Sequence, residues 1–224
     1  DRQKASELFT FGRWILVSSV LILLVRQGDD AFLGKYLGAA ALGVYQMAYR
    51  LSNIPATELT HTVSRVTFPA YSLLQEDLER FRRGYRRVVQ LTMFCSTPLA
   101  VGIAATVPTF VPVVLGEQWN AVILPAQLLC IFGWLRSFGA TVGPVTYASG
   151  RPNLQARCTL LQLFVMGLTI WPMTRAFGIP GTCLATTLGI CGSVSYAAVC
   201  LRKILGISEL TVFMLVARTL PAAL

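Results

Sequence analysis

Residues 80–116 read RFRRGYRRVVQLTMFCSTPLAVGIAATVPTFVPVVLG, and this stretch decides the fold. Arg80, Arg82, Arg83, Arg86 and Arg87 crowd its start. No charged side chain then occurs until Glu117. Crossing roughly 30 Å of hydrocarbon takes about 20 mainly apolar residues. The apolar part, 88–115, exceeds that length and is too long for an ordinary core strand. It predicts a membrane span, and the arginines before it mark the side from which the span starts.

The same alternation of apolar run and polar joint extends outward in both directions. Spans are predicted at 9–36 and 39–69 before this stretch, and at 121–149, 158–177 and 179–201 after it. A further span begins near Leu210. Of the 224 residues, 54% are hydrophobic and 13% charged, whereas a soluble domain carries about 25% charged residues. The expected fold is all-α: a polytopic transmembrane helical bundle of six spans and the start of a seventh. Residues 1–209 read as one six-helix bundle and 210–224 as the beginning of another helix. The chain opens on Asp1 and stops within an apolar run at Leu224, and so reads as an internal fragment. No signal-peptide cleavage site follows the first span.

The joints carry turn residues: Gly34 and Gly38, then Gly116, then Gly150-Arg151-Pro152-Asn153, then Gly178 through Gly181. Most are short, which predicts antiparallel neighbours in an up-down bundle. The exception, 73–87, reads as an amphipathic cytoplasmic surface helix. Its five arginines would meet anionic headgroups, or serve only to anchor the topology. Lys and Arg fall strongly to one side. One set of joints holds Arg2, Lys4, Arg13, Arg80, Arg82, Arg83, Arg86, Arg87, Arg151, Arg157, Arg202 and Lys203; the other holds Lys35 and Arg175. The positive-inside rule then places the N-terminus in the cytoplasm. It also accounts for the net charge of +9 without a nucleic-acid partner.

The six cysteines lie in or beside apolar runs and read as small buried hydrophobes. No metal-ligand set, nucleotide-binding loop or catalytic triad is visible, so no metal, cofactor or enzymatic activity is predicted. The predicted joints are too short to hold a soluble catalytic domain. Gly181, Ala185, Gly189, Ser193 and Ala197 recur at every fourth position of the last full span, a ridge along which another helix can pack closely.

The second span holds the most chemistry. At 100° per residue, Gln46, Arg50, Asn53, Thr57, Thr60, His61 and Ser64 share one stripe. Val44, Ala48, Leu51 and Pro55 fall opposite, and Pro55 predicts a bend. A polar stripe at membrane depth turns away from lipid, toward other helices or a water-filled cavity. Arg50 lies roughly 16 Å from the outer end at 1.5 Å per residue, near the bilayer centre. An arginine there costs about 2.5 kcal/mol or more unless paired or hydrated. Two readings stand: a ligand-binding cation, or a structural arginine bonded to a neighbouring helix.

Arg26, Asp29 and Asp30 form a second cluster, with both carboxylates spaced to reach the guanidinium on one helix face. It reads either as an outer gate or cation site, or as a self-neutralised structural group. Arg136 lies in the inner half of the fourth span and either lines the same cavity or snorkels to headgroups.

The order of several short motifs resembles a known family. Asp29, Gly34-Lys35-Tyr36-Leu37-Gly38, Leu42-Gly43-Val44-Tyr45 and Ala48 are similar to the start of the second half of bacterial polysaccharide flippases. So are Val66-Thr67-Phe68-Pro69, Asp77, Leu115-Gly116 with Trp119, and Gly143-Pro144 followed by Gly150-Arg151-Pro152. The resemblance is to the lipopolysaccharide and O-antigen exporter branch of the multidrug/oligosaccharidyl-lipid/polysaccharide superfamily. It implies two related six-helix bundles around a central cavity, this chain supplying the second and lacking the N-terminal one. It also implies passage of an undecaprenyl-diphosphate-linked oligosaccharide across the bacterial inner membrane. The family's aspartate corresponds to Asp29, with Asp30 an additional acid. On this reading Arg50 and Arg136 attract the diphosphate, Gln46, Asn53 and Thr57 bond sugar hydroxyls, and Asp29 or Asp30 couples a cation. The alternatives are a related exporter of a peptidoglycan lipid precursor or a drug, a membrane-embedded polysaccharide polymerase or ligase, and a non-transporting structural subunit.

Overall fold

The computed structural model describes residues 2–73 and 77–206, with side chains at 12–54, 67, 71, 77–202 and 206. Six long helices account for nearly all of that range: α1 (Arg2–Tyr36), α2 (Ala39–Leu73), α3 (Leu78–Phe110), α4 (Ile123–Ala148), α5 (Pro152–Phe177) and α6 (Ile179–Leu205). A π-helical turn, Val111–Leu115, and a 3-10 helix, Glu117–Val122, join α3 to α4. The expected seventh helix, 210–224, lies outside the described residues, as do the side chains of Thr57, Thr60, His61, Ser64 and Arg65.

By length and composition, four stretches among the described residues are apolar enough to cross a membrane: Leu78–Leu115, Glu117–Ala148, Pro152–Phe177 and Ile179–Arg202. α1 and α2 are as long, at 35 residues each, and carry Arg26, Asp29, Asp30 and Arg50. The chain is a multi-pass membrane protein.

Local chemistry sets the helix ends. Asp77 caps α3 by accepting from the Arg80 backbone N–H at 3.0 Å, satisfying a donor that the helix itself leaves open. Gly178 has φ 64, closes α5 and opens α6 in a single residue. Gly38, at φ 88, turns the chain between α1 and α2. An L side chain at either position would strain the backbone.

Of the surface helix expected at 73–87, residues 74–76 lie outside the described residues. From Leu78 onward the stretch forms the opening turns of α3, which runs without a break into the apolar part. Phe81, Tyr85 and Val89 recur every fourth residue and are all buried, so one apolar face carries through the arginine cluster into the span. Gly84 alone does not stop the helix. The arginines project from the other side, with Arg80, Arg83, Arg86 and Arg87 exposed.

α4 is the central helix, contacting α2, α3 and α6. The up-down expectation needs correction in its neighbours. α2 lies mainly on α4, α5 on α6, and α1 on α5, whereas α1 and α2 touch only lightly despite their short joint. Small residues make the close pairs. A Cβ on Gly133 of α4 would stand 2.7 Å from the Ser52 carbonyl of α2. A Cβ on Gly189 of α6 would stand 3.0 Å from the Gln162 carbonyl, and one on Gly181 would run into the Met173 carbonyl. Arg26, Asp29, Asp30, Gln46 and Arg50 lie instead between α1 and α2, and such long polar side chains keep backbones apart.

Two apolar clusters form the core. One contains Tyr85, Met93, Phe138, Val142, Cys158 and Leu201. The other contains Leu33, Tyr45, Ala48, Leu129, Phe132 and Ile190. Cys130, Cys158, Cys183 and Cys200 are buried as expected, but Cys95 is exposed on the outer face of α3.

Candidate functional site

A cavity of about 210 Å³ lies where the two apolar clusters meet. α1 contributes Arg26 and Asp29, α2 Tyr49, α4 Phe132 and Arg136, α5 Gln155 and Gln162, and α6 Thr186 and Ser193. A smaller cavity of about 160 Å³ is lined by Arg26, Asp29, Asp30, Gln46, Tyr49 and Arg50. Arg26, Asp29 and Tyr49 line both, so these three side chains are the partition between them.

Asp29 is only 4% exposed, and its carboxylate is held by hydrogen bonds. The Tyr45 hydroxyl donates to Oδ2 at 2.6 Å, and the Asp30 backbone N–H donates to Oδ1 at 2.9 Å. Asp30 turns toward α2 as well, accepting from Gln46 Nε2 at 2.9 Å. Of the two readings of Arg26, Asp29 and Asp30, the self-neutralised group has no ion pair to support it among the described residues. The side chains do share a helix face, but both carboxylates bond across to α2, and Arg26 remains exposed with no ion pair among the described residues.

Arg136 reaches from α4 to α2. Its Nη1 donates to the Tyr49 hydroxyl at 2.9 Å and to Asn53 Oδ1 at 3.1 Å. Asn53 Nδ2 in turn donates to the Tyr49 carbonyl at 3.0 Å. Arg136 therefore points into the bundle and does not snorkel. The Tyr49 ring also rests against Phe132, with centroids 5.7 Å apart. A guanidinium offers five N–H donors, and these two bonds leave most of them available to the cavity. Gln155 Oε1 is buried against the same cavity and has no hydrogen-bond partner among the described residues.

The polar stripe of the second span thus divides. Asn53 is buried against α4, while Gln46 and Arg50 face α1 across the smaller cavity. The structure joins them to Arg26, Asp29 and Asp30, so the two clusters distinguished in the sequence form one site. Arg50 is exposed and forms no ion pair among the described residues. The side chain of Thr57 lies outside the described residues.

Tyr45 and Tyr49 were not foreseen as site residues. Hydropathy counts a tyrosine ring as apolar and passes over its hydroxyl. A signal was present in their position: they lie about as far after the Leu37-Gly38 joint as Asp29 and Arg26 lie before it. In an antiparallel helix pair such residues share one depth.

Electrostatics separates the two cavities. Arg26 and Arg136 line the larger one with a single carboxylate, Asp29, which leaves a positive excess. Arg26 and Arg50 are matched by Asp29 and Asp30 in the smaller one. Among the described residues no group of His, Cys, Asp and Glu is placed to hold a metal ion.

Residues 1–124 match the model of a family described as polysaccharide biosynthesis protein. The lipopolysaccharide biosynthesis protein WzxC of Escherichia coli is 31% identical over 155 residues, covering 69% of this chain and 32% of that protein. The teichuronic acid biosynthesis protein TuaB of Bacillus subtilis is 29% identical over 171 residues, covering 76% of this chain and 35% of that protein. A probable low-salt glycan biosynthesis flippase of Haloferax volcanii, Agl15, is 22% identical over 188 residues, covering 83% and 40% respectively. The chain therefore spans about a third of the length of such relatives. No solved structure matches it.

Proposed function

Because the chain belongs to the polysaccharide biosynthesis protein family, we propose that it is part of a transporter that moves an undecaprenyl-diphosphate-linked oligosaccharide across the bacterial inner membrane during surface polysaccharide assembly. The observation that carries this reading is the positive excess of the larger cavity, with Arg26 and Arg136 free of ion pairs among the described residues. A diphosphate carries the complementary charge. Phe132, Met166 and Ile190 in the wall lower the local dielectric and so strengthen the attraction. Facing lipid, Arg26 and Arg50 would each cost about 2.5 kcal/mol or more, which favours water or a polar cargo at this face.

Residues 1–209 form one bundle of a two-bundle transporter on this reading, with 210–224 opening a further helix. The N-terminus and the arginine-rich start of α3 are cytoplasmic, and Arg80, Arg82, Arg83, Arg86 and Arg87 rest on anionic headgroups. Rocking against the partner bundle would expose the cavities to each side in turn. The chain acts as a transporter and not as an enzyme.

Arg136→Ala in the full-length protein tests this. Export of lipid-linked oligosaccharide should fall about tenfold or more, the scale expected when a charged hydrogen-bond donor is lost from a binding site. Unchanged export at normal membrane abundance would remove Arg136 from the mechanism.

A further inference from the structure

The geometry points to the smaller cavity as a subsite for a single uncharged sugar ring, an assignment that rests on the transporter reading above. Charge is the first argument. Arg26 and Arg50 on its walls would repel a cation, and Asp29 and Asp30 would repel an anion. With two positive and two negative groups, the site suits a neutral polar ligand.

Hydrogen-bonding capacity is the second. A guanidinium only donates and a carboxylate only accepts, whereas a hydroxyl does both. Adjacent hydroxyls of a sugar can accept from Arg26 or Arg50 and donate to Asp30. Asp30 and Gln46 are already fixed against each other at 2.9 Å, and each keeps a further polar atom for a ligand. Tyr49 supplies an aromatic wall for the C–H face of the ring. Its own orientation is set by the bond from Arg136 to its hydroxyl.

Size is the third. A cavity of about 160 Å³ is well below the roughly 300–1,000 Å³ of a drug-sized site. Its volume suits one ring, and any further sugars would lie outside it. The partition of Arg26, Asp29 and Tyr49 places this subsite directly beside the positive cavity. The ring it takes is therefore the one attached to the diphosphate.

The test uses purified full-length protein and three probes: undecaprenyl diphosphate, the same lipid carrying one neutral hexose, and the same lipid carrying one hexuronic acid. The wild-type protein should bind the hexose lipid more tightly than the other two. Asp30→Ala and Gln46→Ala should each reduce its preference for the hexose lipid over the bare lipid about tenfold, as expected when a site built for hydroxyls loses a polar partner. Gln46→Glu keeps the side-chain shape but adds a third acid, and should weaken the hexuronic lipid most. An unchanged preference in the alanine variants overturns the subsite, as does tighter binding of the hexuronic than of the hexose lipid. Arg136→Ala should weaken all three lipids, and the hexose lipid most, because Tyr49 loses the bond that orients it. If it leaves them all unaffected, the diphosphate assignment falls, whereas the loss of hexose preference in Asp30→Ala still supports the subsite.

Discussion

Tyr45 holds the buried Asp29 carboxylate with a 2.6 Å hydrogen bond, and the phenol ring around that hydroxyl belongs to the apolar core. Tyr45→Phe keeps the ring and removes the donor. Leaving a buried acceptor without its partner costs about 1–3 kcal/mol, so the variant should unfold at a lower temperature than wild type. Tyr36→Phe, on an exposed ring, should leave the thermal midpoint unchanged. If both variants melt with wild type, the bond is not holding the carboxylate. At this scale the sequence disclosed the charged and amide groups better than their partners. Asp29, Asp30, Gln46, Arg50 and Arg136 were legible because such side chains are rare and costly at membrane depth. The roles of Tyr45 and Tyr49 depend on which helix faces which, and residue type alone does not carry that. Spacing also put Arg26 beside its own carboxylates, but the competition from α2 was invisible in a single helix.

Helix contacts in the bundle are decided by a few backbone approaches, and Gly133 marks one of them. A methyl group there would meet the Ser52 carbonyl at 2.7 Å and force α2 and α4 apart. Gly133→Ala should cost about 1–3 kcal/mol, the usual penalty of overpacking, and disturb the bond from Arg136 to Tyr49. Gly102→Ala in α3 has nothing within 4 Å and should be neutral or stabilising by up to about 1 kcal/mol, because glycine is poor in a helix interior. Thermal unfolding of the two variants side by side checks the contrast. If Gly133→Ala is as stable as Gly102→Ala, the close α2–α4 approach is not a determinant of the fold. The predicted helix ends agree well at Tyr36, Ala39, Phe177 and Ile179, where glycine and proline punctuate the sequence. At 73–87 the described residues form the amphipathic helix expected there, but it is continuous with the span that follows. The spacing of Phe81, Tyr85 and Val89 was the guide to that continuity, since a continuous apolar face outweighs charges that can project away from it.

At the scale of the whole molecule, the helical class and the multi-pass character follow from hydropathy, because hydrocarbon allows few ways to satisfy a backbone. The packing order does not follow. Joint lengths suggested that successive helices would be the closest neighbours, yet α4 sits at the centre and α1 lies mainly on α5. That order depends on where glycines allow contact and where long polar side chains prevent it. The topology makes its own prediction: cysteines replacing Arg83 or Arg87 should react with an impermeant thiol reagent only from the cytoplasmic side, and those replacing Lys35 or Arg175 only from the periplasmic side. The reverse pattern would invert the bundle. The central claim is that the paired cavities, the smaller between α1 and α2 and the larger among α1, α2, α4, α5 and α6, are hydrated and receive the lipid-linked sugar. It is tested most directly by a cysteine at Arg50 in full-length protein whose native cysteines have been replaced. Its labelling by a water-soluble thiol reagent is measured with and without undecaprenyl-diphosphate-linked oligosaccharide. The account predicts ready labelling that the lipid-linked sugar slows severalfold. A thiol that never reacts, or one that reacts at the same rate with the lipid-linked sugar present, would contradict it.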